Sequence, residues 1–422
     1  MPKEKIIAAI DIGSSKVSCV VASVVQNRIS VIGSSTINSK GIDRGVVNDI
    51  DSAVEVIGEV IEKCEKMSGH AISRAAVTIN GQHIQCENST GVVAVTDPQG
   101  EITRQDILRV NEAAQAVTIP SNREVIHVIP RDFVVDSQGN IKNPEGMSGI
   151  RLEVEAHIIH ASTTVIKNLT RCIKQVGVEV SDLIFTAYAS SFSVLTDTEK
   201  ELGTILIDIG GRTSSCIIFQ NSSPIYSFVI PVGGKHITGD IAIGLRCSLD
   251  VAEKVKLRIS KEESNQDLPD VIGIKNEEIK KGDIYLGDID ADLGFVPKKF
   301  LESLLNDRIS EIMSLIHAEI RKSGYDGKIS AGAVVTGGAS DTLNLVPIAK
   351  NILKISVRVS KPRGLTGLID EIEGPAYSAC IGALMYKSYE DTDSGSSRSK
   401  ISIGFFSKIF SQIKTLLKNL IP

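Results

Sequence analysis

Several features that would each point to a function are missing from this sequence. Its seven cysteines (19, 64, 86, 172, 216, 247 and 380) are scattered and include no Cys-x-x-Cys pair. They read as reduced, mostly buried small residues, which implies a reducing cytoplasm. The seven histidines show no metal-ligand spacing. Positive charge is not in excess: the formal net charge is −5, which argues against general nucleic-acid binding through counterion release. No apolar run reaches the roughly 20 residues needed to span a bilayer. Met1-Pro-Lys-Glu-Lys leads into a short strand without the apolar stretch of a signal peptide. A length of 422 residues leaves room for two or more domains and a large core.

What is present is a short phrase written twice. Ile10-Asp11-Ile12-Gly13-Ser14-Ser15-Lys16-Val17-Ser18-Cys19 returns as Ile207-Asp208-Ile209-Gly210-Gly211-Arg212-Thr213-Ser214-Ser215-Cys216. Each copy ends an apolar strand, makes a Gly turn and re-enters an apolar strand. Two such hairpins facing each other can grip one polyphosphate from both sides. Glycine allows positive φ and close backbone approach, so amide N–H groups can point at phosphate oxygens. An Asp at the strand end can hold Mg²⁺ through water. The pair predicts a two-lobed nucleotide clamp built from a duplicated domain.

The surrounding pattern repeats as well. Strands are expected at 6–11, 17–25 and 29–36, then a helix at 50–67 and a strand at 75–79. The second copy gives strands at 204–208, 215–220 and 225–230, then a helix from about 237. Strands first and helix after, twice in the same order, suits a mixed sheet with flanking helices in each lobe. Residues 82–160 do not fit the duplication and read as an inserted subdomain of strands plus one helix at 104–117. Residues 265–293 are acidic with Gly and Pro breaks, a solvated excursion. Residues 297–322 read as a long amphipathic helix with Phe300, Leu304, Ile312, Leu315 and Ile316 on apolar faces.

Thr336-Gly337-Gly338-Ala339 ends a further strand. Such a turn lets a flat base or ribose lie against backbone, or is a plain strand–helix turn. The helix of small residues after Pro375 (Ala376, Ser378, Ala379, Gly382, Ala383) permits close crossing, at an interlobe hinge or in ordinary packing. Gly233-Gly234-Lys235 imitates the end of a P-loop, but Val229 stands where that motif needs Gly, and His236 follows the Lys. The P-loop reading is rejected.

Residues 390–400 are polar and Ser-rich, a flexible linker by composition. Residues 401–422 then carry Phe406, Ile409, Phe410, Ile413, Leu416, Leu417 and Leu420 on one helical stripe. Lys408, Lys414 and Lys418 lie opposite, with no acid among them, and Phe405 adds apolar bulk. A basic amphipathic helix on a tether fits an anionic membrane surface; a terminal helix docked on the globular body is the alternative.

Taken together, the two hairpins, the Thr-Gly-Gly-Ala turn, the insertion and the amphipathic end resemble the FtsA family of bacterial cell-division proteins. That family belongs to the actin, sugar-kinase and chaperone ATPase superfamily. The likeness spans almost the whole chain. Its distinctive stretches are 41–49 (Gly-Ile-Asp-Arg-Gly-Val-Val-Asn-Asp), 80–84 (Asn-Gly-Gln-His-Ile), 127–130, 141–151 and 190–196. The resemblance implies an α/β, actin-like (duplicated ribonuclease-H-like) two-lobed ATPase fold with an inserted subdomain and a C-terminal amphipathic helix. Residues 1–83 and 162–200 would form the core of lobe one, and 84–161 the insertion, used for polymer contacts. Residues 201–240 and 330–373 would form the core of lobe two, with 241–329 its outer subdomain. Residues 374–389 would return to lobe one.

The implied function is an ATP-binding, polymerising protein at the cytoplasmic face of the bacterial inner membrane at the septum, tethering the tubulin-like division protein FtsZ and recruiting later division proteins. ATP and Mg²⁺ are the implied cofactors, with no nucleic-acid partner. Asp11, Gly13, Ser14, Ser15 and Lys16 match the first phosphate hairpin; Asp208, Gly210, Gly211, Arg212 and Thr213 match the second. Asp11 and Asp208 carry the catalytic and water-mediated Mg²⁺ roles. Gly337 and Gly338 match the adenosine turn, Glu253 and Lys256 the pair flanking purine and ribose, and Gly233, Gly234 and Asp240 the helix start beside the phosphates. The FtsZ C-terminal peptide would bind near Lys299 and Arg308.

One departure stands out. The family's second hairpin usually has a third Gly and a later Asp, where this chain has Arg212 and Ser215. Arg212 must point away from the phosphates or contact them. Losing a carboxylate removes a Mg²⁺- or water-orienting group, so hydrolysis can fall while binding survives. The expectation is a nucleotide switch with at most weak turnover. A pilus-assembly-type ATP-binding scaffold and a sugar kinase of the same superfamily are the alternatives.

Overall fold

The computed structural model describes residues 4–26, 28–116, 119–262 and 282–393. The first sheet opens with a meander, β1 (Lys5–Ile12), β2 (Lys16–Val25) and β3 (Arg28–Asn38), followed by the tiny hairpin β4 (Ile42–Asp43) and β5 (Val46–Val47). Helix α1 (Ile50–Ser68) follows. It starts where the Asp49 carboxylate accepts from the Asp51 and Ser52 amides, and stops at Gly69 in left-handed backbone, φ 71°. Its apolar residues recur at helical spacing (Ala53, Val56, Ile57, Val60, Ile61, Cys64), and this face covers one side of the sheet. Strand β6 (Arg74–Ile79) then pairs parallel to β1.

The meander strands are apolar on both sides because both faces of the sheet are covered. Ile10, Ile12, Val17, Cys19 and Val21 join the core under α1, whereas Ile7, Ala9, Val20 and Ala22 join the core on the opposite side. Burying an isoleucine of this kind stabilises by about 1.5–3 kcal/mol relative to exposure.

The insertion comprises β7 (Gln85–Ala94), α2 (Arg104–Gln115), β8 (Arg123–Val135), β9 (Gln138–Ile141) and β10 (Arg151–Ser162), its sheet running β7-β10-β8-β9. Thr103 caps α2 in a reciprocal box with Asp106. Burial pushes the Asp106 carboxyl up, but hydrogen bonds from Thr103, Arg109 and Thr96 outweigh it and hold the group well below the usual carboxylate range. The insertion touches both lobes. Ile159 and Ala161 of β10 join the core beneath α1. His157 bonds to Asn88 Oδ1 (2.7 Å) and to Ser227 Oγ (2.9 Å) on the edge strand of lobe two.

Helix α3 (Thr163–Gln175) and strand β11 (Glu179–Phe185) complete the first sheet, and α4 (Thr186–Val194) and α5 (Asp197–Leu202) connect the lobes. Lobe two repeats the design with β12 (Thr204–Ile209), β13 (Ser214–Gln220), β14 (Ser223–Ile230), α6 (Gly234–Leu245) and α7 (Leu249–Glu262). A short hairpin, β15 (Asp283–Tyr285) and β16 (Phe295–Pro297), leads into α8 (Lys298–Ser323), β17 (Ala333–Thr336), α9 (Leu345–Leu353) and β18 (Val357–Val359). Strand β19 (Thr366–Gly367) closes the first sheet beside β3, and α10 (Ser378–Asp393) returns to lobe one.

The sheet orders are β11-β6-β1-β2-β3-β19 and β14-β13-β12-β17-β18. In both, an antiparallel meander is followed by two parallel strands on the side of its first strand. The duplication expected from the sequence is therefore present in five strands of each sheet; β19, beside β3, has no counterpart in the second. The small-residue helix is a close crossing: a Cβ on Gly382 would lie 1.9 Å from the Ala189 carbonyl oxygen of α4.

One expectation is corrected. Helix α8 buries Leu301, Leu305, Ile309, Ile312, Met313, Ile316 and Ile320, while Phe300 and Leu315 are exposed. Ile312 and Ile316 are buried as expected, but they belong to the stripe beginning at Leu301, which joins the core of lobe two. Phe300 and Leu304 instead lie against Gly244 near the end of α6. Most of the expected 265–293 excursion, and all of 401–422, lie outside the described residues.

Candidate functional site

Each hairpin turn closes on a single backbone bond. Gly13 N donates to Lys16 O (3.0 Å), and Gly210 N donates to Thr213 O (2.9 Å). Neither glycine has positive φ, contrary to the expectation. They are needed for space: a Cβ on Gly13 would sit 2.9 Å from Lys16 O. Left-handed backbone occurs instead at Gly337, φ 91°, where a Cβ would also strike Asp208 Oδ1 at 2.4 Å.

The two hairpins meet. A Cβ on Gly211 would fall 1.9 Å from Ser15 Oγ, so the second turn packs directly on the first. Asp11 accepts from Thr78 Oγ1 at 2.5 Å, and Asp208 accepts from Ser190 Oγ at 2.6 Å. Burial lifts both carboxyls. Asp208 is pushed up to about 7, with the Asp11 charge adding to the rise, while the Ser190 bond and Lys16 oppose it. Asp11 is raised by burial against Thr78 and Lys16. Lys16 is the cation that favours the charged form of both. Burial lowers its ammonium to about 8, and the two acids act in the opposite direction. Its Nζ lies 3.3 Å from the ring centroid of Tyr377, a cation–π contact.

The other expected residues fall around this centre. Gly233 and Gly234 begin α6 against the second hairpin, with Gly234 N donating to Gly210 O (2.9 Å) and Lys235 N to Gly211 O (2.7 Å). Those amides are thereby committed to protein, a further reason why this is no P-loop. Glu253 and Lys256, one helical turn apart on α7, pair at 2.7 Å, and Lys256 also donates to Thr238 Oγ1 (3.0 Å). Gly337 N donates to Pro375 O (3.2 Å), and Gly338 faces Ala376.

Arg212 does not resolve as a free phosphate ligand: its Nε lies 2.9 Å from Asp43 Oδ1, across the cleft. The Ser215 hydroxyl, directly opposite Asp208 in the strand pairing, is buried with no hydrogen-bond partner among the described residues. Arg308 is likewise paired. It forms a two-pronged pair with Asp240 (2.7 and 2.8 Å) and a bond to Glu311, and its side chain stays 25% exposed. Lys299 is exposed.

Sequence reasoning missed Thr78, Ser190, Asp43, Asn80, Lys235 and Tyr377. Three of these had a signal, since Asp43, Asn80 and Ser190 lie in stretches that carry the resemblance. Asn80 Nδ2 donates to Thr213 Oγ1 (3.2 Å), and Gly45 N to Ser14 Oγ (3.1 Å). The distinctive stretches 41–49, 80–84 and 190–196 thus converge on the two hairpins.

The residues suit a nucleotide and a hydrated divalent cation. Two glycine-lined turns, a half-buried lysine and a positive-φ glycine frame the space. Two mutually repelling carboxylates would be relieved by a dication that keeps most of its waters. Among the described residues no cluster of three or more His, Cys, Asp or Glu forms a direct metal cage.

Comparison with known proteins agrees with this architecture. The family described as an SHS2 domain inserted in FtsA matches residues 81–160, and the family described as cell division protein FtsA matches 205–382. The chain is 38% identical to cell division protein FtsA of Pseudomonas aeruginosa, over 92% of this chain and 91% of that one. It is 31% identical to the Escherichia coli K12 protein of the same name, over 90% of each. Among solved structures, the PilM–PilN type IV pilus biogenesis complex matches with TM-score 0.61 at 14% identity, over 90% of this chain and 98% of that one. MreB5 of Spiroplasma citri bound to ADP matches with TM-score 0.52 at 14% identity, over 92% and 97%. These two share the actin-like fold. With both lobes and the insertion in place, and with relatives of this identity over nearly the full length, the chain belongs to the FtsA family of cell division proteins.

Proposed function

We propose that this protein is an ATP-binding switch of the division machinery, which polymerises on the inner membrane and tethers FtsZ to it. The observation that carries the nucleotide reading is the convergence of Asp11, Asp208 and Lys16 between two abutting hairpins. Phosphate oxygens would meet Lys16 and the hairpin amides, and Mg²⁺ would sit in water shared by the two carboxylates. The adenosine would lie between Gly337-Gly338 and the Glu253–Lys256 pair. The MreB5 structures bound to ADP and AMPPNP lend support through the shared fold. Turnover would be weak, because the position opposite Asp208 holds the Ser215 hydroxyl where the family pattern has a carboxylate.

The FtsZ peptide would bind the outer part of lobe two. Lys299 and Phe300 are exposed side by side, and Ile243, beside Gly244 where Phe300 packs, is also exposed. A cation next to apolar side chains suits an acidic peptide with an apolar core. Arg308, partly exposed and paired with Asp240, would add a second cation to that surface. The inserted subdomain would receive other division proteins. A groove of about 1830 Å³ between it and the two lobes, lined by Leu108, Val128, Tyr188, Phe192, Phe219 and Pro224, offers the space. Residues 401–422 would attach the protein to anionic lipid. Among the described residues no helix is long and apolar enough to cross a membrane.

One experiment covers partner, anchor and switch: co-sedimentation of the full chain and FtsZ with anionic liposomes, with and without ATP. Retention of FtsZ that is lost on deleting residues 401–422 is the expected outcome. Undiminished co-sedimentation of the truncated chain would refute the anchor. ATP hydrolysis at kinase-like rates would refute weak turnover.

A further inference from the structure

We propose that Arg212 and Lys235 form an interlobe clasp that closes the phosphate end of the cleft and sets the lifetime of a bound nucleotide. The inference rests on the nucleotide reading above and concerns release, not affinity for a particular base.

Two cations of lobe two reach across to two acceptors of lobe one. Arg212 Nε lies 2.9 Å from Asp43 Oδ1. Lys235 Nζ donates to the backbone oxygen of Ser14 at 2.8 Å. Gly211, next to Arg212 in the chain, packs directly on Ser15, next to Ser14. Both acceptors belong to one folded unit, since Gly45, two residues from Asp43, donates its amide to Ser14 Oγ. The cations therefore grip the first hairpin and the β4–β5 hairpin folded over it. Neither contact could form in a chain with glycine at 212 and a short side chain at 235.

The electrostatics fit a clasp that holds without being permanent. Lys235 is half-buried, and its ammonium is lowered by burial and by Arg212 and Lys256, with Asp43 and Glu253 opposing. Asp43 thus pairs with the Arg212 arm and favours the charged Lys235 without touching it. Ser14 supplies only a neutral carbonyl, which an ammonium exchanges for a charged oxygen at little cost. Phosphate passing between the hairpins must part Gly211 from Ser15, and that motion breaks both arms. Contacts present in the closed form and absent from the opening transition state slow release without participating in chemistry.

The measurement is stopped-flow displacement of a fluorescent ADP analogue from the full chain by excess unlabelled ATP. Arg212→Gly should speed release about two- to fivefold, the range of an exposed ion pair. Lys235→Met, which removes a charge-assisted bond from a half-buried site, should speed it about tenfold. The swap Arg212→Asp with Asp43→Arg should return the rate to within about twofold of wild type, and high salt should shrink the Arg212 effect. Thermal unfolding checks that Lys235→Met is folded; the exposed Arg212 and Asp43 variants carry the test if it is not. Binding with unchanged release in the folded variants, or a swap that fails to restore the rate, overturns the clasp alone. Failure of the wild-type protein to bind the analogue overturns the nucleotide reading and the clasp with it.

Discussion

Asp11 and Asp208 close equivalent strands in equivalent sheets, yet each is held by a different kind of neighbour. Asp11 accepts from Thr78 on β6, the adjoining strand of its own sheet. Asp208 accepts from Ser190 on α4, the helix that connects the lobes and packs against α10. The first acid is thus fixed within its lobe, whereas the second depends on how the lobes sit together. The flanking residues differ in the same way. Lys16 stays at the centre beneath Tyr377, while Arg212, two positions beyond Gly210, reaches out to Asp43. A duplicated frame has become one hairpin that supplies charge to the centre and one that registers closure.

The largest expected break in that comparison is steric. Gly211→Val places bulk where even a Cβ overlaps Ser15 Oγ, so the hairpins must separate. An overpacking penalty of about 3 kcal/mol corresponds to roughly a hundredfold loss of nucleotide affinity, measured by titration calorimetry. Gly210→Ala, whose Cβ would lie 3.1 Å from Thr213 O, should be far milder. Equal effects at the two glycines would show that the hairpins do not need to touch.

Removal of the shared cation comes next. Lys16→Met leaves the half-buried Asp11 and the buried Asp208 without the cation that favours their charged forms, and should weaken ATP binding by about 2 kcal/mol, some thirtyfold. It should also raise the Asp208 carboxyl beyond about 7, because Lys16 is among the groups holding it down. Carboxyl titration followed by NMR would read that shift directly.

The smallest effect concerns pH. A carboxyl raised from 3.8 to about 7 in the folded state takes up protons more readily folded than unfolded. Its contribution to stability is therefore complete below about pH 4 and lost as pH rises through 7. Asp208→Asn should be more stable than wild type by about 1–2 kcal/mol at pH 8 without divalent cations, and the difference should narrow as pH falls toward 5. Mg²⁺ should narrow it at pH 8 as well. A constant difference across this range, measured by thermal unfolding, would place the burden on packing instead of charge.

Much of this was legible in the chain. Strand–turn–strand phrases around Asp11 and Asp208, and the helix after each meander, follow from local periodicity and turn chemistry, and they appear where expected. Asn80 and Ser190 lay inside stretches noted for resemblance, but their bonds to Thr213 and Asp208 span 133 and 18 residues. No periodicity encodes such contacts. Lys235 was passed over because the motif it imitates is absent. Its role comes from the start of α6 being set against the second hairpin, which aims the side chain across the cleft. Arg308 is similar: its basic charge is plain in the sequence, but its pairing with Asp240, 68 positions away, is not.

The sequence by itself determined the duplication, the glycine-bearing hairpins and the two acids, because these depend on order and residue type along a few consecutive positions. Only the tertiary structure decided the partners of those acids, the direction of Arg212 and the reach of Lys235. Such contacts form when two separately folded sheets close on each other, and the geometry of that closure is carried by the packing of α4 and α10 between them.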